Sequence, residues 1–226
     1  MPTKSEPFVG RYLSHFHTLH TDGKLSLEDY FSFAAAHAVE RLILLEHIRS
    51  QPTYDVALLS REFHHLSDQR SIPASFGFEV KLLPGGTLDI SPEHLQLASV
   101  IGIAEHGFPP DVKLLQSVLP RAFECYQAMA PEKTFVWVHP GTTFRKLRIQ
   151  PEKHPAYRAL LEWAQGAGLL IERNLRYGLA PDSAIQRFGL RNVVLGADAH
   201  TAADLDAWLQ AAAPRDATAA SQLSAW

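Results

Sequence analysis

The chain is short of several things, and each shortage removes a class of protein. A single cysteine, Cys125, rules out an internal disulfide among its 226 residues. It sits in RAFECYQAMA, a helical pattern, where a small buried thiol is the expected role. No apolar run approaches the length of a membrane span. The opening MPTKSEPFVGRYL has no apolar core of the signal-peptide kind, so a cytoplasmic protein is the expectation. Positive charge is not in excess, since the formal net charge is −3. Tight binding to a nucleic-acid backbone is therefore not indicated, although a smaller contact with a nucleic-acid end stays open. There is no internal repeat.

What remains is ordinary, with one exception. Apolar residues make up 46% and charged residues 20%, a globular balance with ample material for a core. The length suits one domain over residues 1–226, with an Ala-rich, weakly patterned tail from about 212 to 226. The exception is histidine, present twelve times. Because histidine is the commonest metal ligand but also a usable structural residue, placement has to decide.

Short apolar runs alternate with amphipathic segments. Val9 to Leu13 reads as a strand, SLEDYFSFAAAHA as a helix capped by Ser26 and Asp29, RLILLEH as a second strand, and Tyr54 to Asp68 as a helix. The strand candidates SIPASFGFEVKL, SVIGIAEH, KTFVWVHPG, LLIERN and NVVLGADAH follow, separated by helical stretches, in one of which Pro120 predicts a kink or break. This order predicts an α/β protein with a mainly parallel sheet. Seven strand ends carry chemistry-bearing residues: His15 and His17, Glu46 and His47, Glu79, His106, His139, Glu172 with Asn174, and Asp198 with His200. An open sheet gathers its ligands at one crevice, whereas a barrel gathers them around its rim, so a barrel is favoured. In HFH and DAH the paired groups are two residues apart, which on a strand puts both on one side. Imidazoles mixed with carboxylates suit zinc, manganese or iron. Glu79, inside an apolar run, needs either a metal or a cation such as Lys81. His37, His64, His65, His94 and His154 read as surface or structural residues. His20, in the loop beside His17, is a candidate to touch substrate.

In order along the chain, HFHTLHTDG, LLEHI, GFEV, HPG, IERN and GADAH resemble the motifs of the PHP (polymerase and histidinol phosphatase) superfamily, from His15 to His200. The resemblance implies a distorted seven-stranded (β/α) TIM-like barrel with three divalent transition metals, zinc, manganese or iron. Carried over by position, it implies that His15, His17, Glu79 and Asp198 hold one metal. Glu79 then bridges to a second, held also by His106 and His139, and Asp22, His47 and His200 hold a third. The implied activity is hydrolysis of a small phosphomonoester, histidinol phosphate-like or nucleotide-like, by a metal-bridging hydroxide. Arg145 and Arg173, with Lys146, Arg148 and Arg176 nearby, are then candidates to receive the phosphate, and His20 to supply a proton. Two residues depart from the family pattern: Glu46 stands where an Asp is usual, and Glu105 precedes His106 where a small or apolar residue is usual. Two other readings compete. An amidohydrolase-type enzyme also opens on HxH but gives Asp22, His47 and His200 no role, and a non-catalytic metal-binding module would be expected to have lost ligands.

Overall fold

A computed structural model describes residue 8 and residues 10–212. Val9 and nearly all of the Ala-rich tail therefore lie outside the described residues. Among the described residues nine short strands occur in chain order: β1 (Tyr12–Ser14), β2 (Arg41–Ile43), β3 (Glu46–Ile48), β4 (Ala74–Ser75), β5 (Gly77–Lys81), β6 (Val100–Ala104), β7 (Thr134–Trp137), β8 (Leu170–Asn174) and β9 (Val193–Gly196). All pairings between them are parallel, in the orders β1-β2-β4 and β3-β5-β6-β7-β8-β9. RLILLEH is thus two strands rather than one, as is the run ending in GFEVK, and Leu44 N–H still donates to Ser75 O at 3.0 Å between the halves. Taken as interrupted staves, β2 with β3 and β4 with β5, the nine strands make seven. The ring closes where Ala197 N–H donates to Ser14 O at 2.8 Å and His17 N–H to Ala199 O at 2.8 Å. The result is a distorted (β/α) barrel.

Strand alternation divides the apolar residues into two sets. Ile43, Leu45, Val100, Val136, Val138 and Val194 pack together inside the barrel. Leu42, Phe78, Val80, Ile101, Ile103, Trp137 and Ile171 face outward against the helices. The interior is tight: a methyl group on Gly102 would come within 2.9 Å of Val138 Cγ1.

The helices are α1 (Leu27–Ala36), α2 (Val56–Arg70), α3 (Pro92–Leu97), α4 (Val112–Met129), α5 (Thr142–Lys146), α6 (Pro155–Ala167), α7 (Asp182–Phe188) and α8 (Ala202–Ala212). The Ser26–Asp29 capping box is formed at α1. Of the kink or break expected at Pro120, the break does not occur, since α4 is continuous from Val112 to Met129. One expectation about α4 is corrected. Cys125 is exposed, not buried, because Leu115, Val118, Leu119, Ala122 and Phe123 form the inward stripe and Cys125 lies off it. Among the described residues no helix is long and apolar enough to cross a membrane.

Candidate metal centre

The strands deliver their C-terminal ends to one face of the barrel, and the histidines and carboxylates meet there. Glu79, inward-facing on β5 and 2% exposed, stands at the centre. Its Oε1 lies 2.9 Å from His139 Nε2 and 3.1 Å from His106 Nδ1. Its Oε2 lies 3.1 Å from His47 Nδ1 and 3.4 Å from the Nε2 atoms of both His15 and His17. Lys81 makes no ion pair with it, so the histidines and not that lysine answer the cost of burying this carboxylate. Asp198 Oδ1 is 3.6 Å from His17 Nε2 and 3.8 Å from His15 Nε2. Further out, Asp22 Oδ1 lies 3.4 Å from His47 Nε2 and 3.3 Å from His200 Nε2.

These atoms fall into four overlapping groups, each with ligand atoms within 4.8 Å of one another: His17, Asp22, His47 and His200; His15, His139 and Asp198; His15, His17 and Glu79; and Glu79, His106 and His139. All nine residues expected as ligands from the sequence are brought together. The set of Asp22, His47 and His200 gains His17 as a neighbour, so the sets share members more than the sequence pattern indicates.

The donors are held from behind. Glu172, on β8, takes His15 Nδ1 at 2.5 Å on one oxygen and His139 N–H at 2.6 Å on the other, where Asn174 Nδ2 also donates at 2.9 Å. It reaches His15 because Gly196 on the adjacent strand has no side chain, and a methyl there would lie 1.8 Å from Glu172 Oε1. Glu46 is fully buried and accepts from Thr18 N–H at 2.9 Å, Thr18 Oγ1 at 2.6 Å, His47 N–H at 3.0 Å and Thr21 Oγ1. Its ring contact is His17 Nδ1 at 3.4 Å, so this carboxylate supports His17 rather than the His47 side chain. Such outer carboxylates fix which imidazole nitrogen is left free to bind. His17 Nε2 is buried and has no hydrogen-bond partner.

Electrostatics follow the same geometry. Burial alone would depress His17, but Asp198 and Glu46 more than offset it and raise its pKa to about 9. His15 and His139 are raised for the same reason, against burial, chiefly by Glu172 and by Glu79 respectively. Burial alone would raise Glu79, yet His139 and its other imidazole neighbours hold it well below the usual carboxylate range. Glu46 is likewise brought down to about 2, against burial, by His17 and the threonines. His200 is lowered, first by burial and then by the His17 charge.

A cleft of about 530 Å³ opens over the cluster, walled by His20, Arg49, Tyr54, Lys81, Arg176 and Tyr177 together with Asp22, His47, His106, Asp198 and His200. His20 is therefore at the site, with Nε2 3.7 Å from Glu62. Two expected phosphate partners are not. Arg173 is between inward-facing Glu172 and Asn174, so it points outward, where its Nε pairs with Asp182 at 2.5 Å. Arg145, exposed on α5, is not among the residues that wall the cleft. Lys146 is also committed elsewhere, donating to the carbonyls of Glu105 and Phe108 at 3.0 Å each. The cations that do reach the cleft are Lys81, Arg49 and Arg176. The sequence carries the signal for Lys81: it is two residues from Glu79 on one strand and so shares its face.

No family model matches the chain, and no curated protein matches it. Among solved structures it is similar to a crystal structure described as amidohydrolase II, with TM-score 0.54, 12% identity, and coverage of 92% of this chain and 93% of that one. This likeness shows a shared barrel fold. A mutant of a Deinococcus radiodurans PTE-like lactonase is more distant, at TM-score 0.42 and 12% identity over 97% of this chain and 91% of that one.

Proposed function

We propose that this chain is a metal-dependent hydrolase of the PHP type that cleaves a small phosphomonoester. The observation that carries the reading is the outer donor set of Asp22, His47 and His200, which abuts the inner sets through His17. The donor chemistry fits transition metals: imidazoles and carboxylates, with His15 backed by Glu172, His17 by Glu46 and His200 by the Asp198 carbonyl, and with His17 Nε2 aimed at two carboxylates and bonded to neither. His15, His17, Glu79 and Asp198 would hold one ion, Glu79, His106 and His139 a second, and Asp22, His47 and His200 a third. Bound there, such ions supply Lewis acidity at a phosphoryl oxygen and make water acidic enough to act as a nucleophile near neutral pH.

The protein's own part is to bind, orient and exclude. Lys81 and Arg176 reach the cleft with positive charge for a phosphate dianion. Arg49 also reaches it but is tied to Ile48 O at 2.8 Å, and Arg176 pairs with Asp204 at 3.3 Å, so Lys81 ranks first. Tyr54 and Tyr177 form the walls. Tyr54 hydroxyl donates to His47 O at 2.7 Å and so is fixed, while Tyr177 stands edge-on to His139 at 5.7 Å. His20, which also lines the cleft, would give a proton to a departing alkoxide.

The amidohydrolase reading keeps a place because a barrel described as amidohydrolase II shares the fold. It assigns no task to Asp22, His47 and His200. The test is to reconstitute the protein anaerobically with Mn²⁺, Fe²⁺ or Zn²⁺, count metals, and assay aryl phosphates beside aryl esters and amides. Phosphate release with more than two metals per chain, lost in Glu79→Ala and Asp198→Ala, is the expected result. Fewer than one metal per chain, or turnover of esters and amides alone, refutes the proposal.

A further inference from the structure

Beneath the second donor set lies a carboxylate with no part in holding a metal. Glu105 ends the β6 stave immediately before His106 and is fully buried. Its Oε1 accepts Trp137 Nε1–H at 3.0 Å and Gly141 N–H at 3.0 Å, and its Oε2 accepts Thr143 N–H at 2.6 Å. Among the described residues no cationic side chain forms an ion pair with this carboxylate. Its backbone carbonyl accepts Lys146 Nζ at 3.0 Å. All three donors to the carboxylate flank His139: Trp137 in the strand before it, Gly141 in the turn after it and Thr143 in the first turn of α5. That turn is sharp, with His139 at φ 32° and Gly141 at φ 102°. His106 and His139 end up with rings stacked at 4.3 Å and 12°.

Resting on the metal-hydrolase reading, we infer that Glu105 is a positioning residue that locks the His106–His139 pair and so sets the affinity of that one metal position. The argument is one of connectivity. His106 follows Glu105 directly in the chain, and the carboxylate of Glu105 holds the backbone that presents His139. One side chain therefore fixes the spacing of two donors on neighbouring staves. His15, His17, His47 and His200 make no hydrogen bond or ion pair with it. Three N–H donors converge on the carboxylate, so only a full acceptor matches them. A glutamine would turn an amide N–H toward one of the donors. Outer-shell partners of this kind tune affinity by about 10–100-fold.

The experiment is a Co²⁺ titration of the metal-free protein, followed by visible absorption and by elemental analysis after gel filtration. Wild type, Glu105→Gln, His106→Ala and the double variant are compared. The expected result is three ions in wild type and one fewer, or one bound at least tenfold more weakly, in Glu105→Gln. The double variant should lose nothing beyond His106→Ala alone. Equal weakening of every ion, a further loss in the double variant, or wild-type binding by Glu105→Gln overturns the inference. Wild type that binds no Co²⁺ removes the metal-hydrolase reading itself, so the two failures are told apart in the wild-type arm. The glutamine variant retains acceptor capacity for two of the three donors and so keeps the test open should an alanine fail to fold.

Discussion

A single methyl group at Gly196 should disable the centre from a neighbouring strand. Gly196 does not have a left-handed φ, so its backbone suits alanine. The obstacle is space. An alanine Cβ would sit 1.8 Å from Glu172 Oε1, 2.4 Å from Cδ and 2.6 Å from Cγ. A flexible side chain would normally swing aside at little cost, but this one is 1% exposed and holds His15 Nδ1, His139 N–H and Asn174 Nδ2. Moving it breaks bonds to a charged acceptor worth about 1.5–3 kcal/mol each, and overpacking adds about 1–3 kcal/mol. Gly196→Ala should therefore destabilise the metal-free protein by about 3 kcal/mol or more, measured by urea unfolding. Since His15 loses its orienting partner, metal affinity should fall by about 10–100-fold in a chelator competition. A variant within about 0.5 kcal/mol of wild type that binds metal equally well would show that Glu172 does not organise the site.

Three further outcomes follow from the same geometry. Lys81→Met should leave the metal content unchanged and lower kcat/KM for an aryl phosphate by about 10–100-fold, the equivalent of one charge-assisted contact; an unchanged kcat/KM removes Lys81 from the phosphate site. His20→Ala should slow alkyl phosphates by about 10²-fold or more while sparing p-nitrophenyl phosphate, whose leaving group needs no proton; equal losses on both would rule out proton donation. In the metal-free protein His17 is raised from 6.5 to about 9, so its contribution to stability is complete below 6.5 and is lost as pH rises through about 9. Glu46, lowered from 4.5 to about 2, contributes above 4.5 and is lost as pH falls through about 2. The unfolding midpoint should thus decline on the alkaline side, and bound metal, which needs neutral imidazole, should abolish that decline; a flat metal-free profile between pH 6 and about 10 contradicts the pairing.

Much of the site was legible because each stave places an apolar run before its donor, and that pattern needs no knowledge of neighbours. What the sequence hid depends on neighbours. Glu172 orients His15 only because Gly196 lies beside it. Glu105 finds its partners more than thirty positions away, on the next stave and in the loop that follows it. Arg173 was misplaced although alternation places it outward, because once Glu172 and Asn174 face the lumen the residue between them cannot. Cys125 erred by a fraction of a helical turn. RLILLEH looked like one strand because its apolar run is continuous, whereas the ladder breaks at Leu44 and Leu45.

The premise that brought His15 and His17 together from sequence also needs replacing. On a regular strand, inward Tyr12 and Ser14 would send His15 outward to the helices, and inward Val136 and Val138 would do the same to His139. Both instead leave the strand in the left-handed region, His15 at φ 61° and His139 at φ 32°, as does Asp198 at φ 52°. The three belong to one donor group. Left-handed backbone costs a residue with a side chain about 1–2 kcal/mol, so the coincidence of three at one point is a directed expense. The kink lets an inward residue be followed at once by another, Ser14 by His15 and Val138 by His139. Donors are thereby stacked on the lumen more densely than alternation permits. That density sets Glu79 within 3.4 Å of five imidazole nitrogens, at the centre of a cluster whose donor atoms lie close enough to hold metal ions.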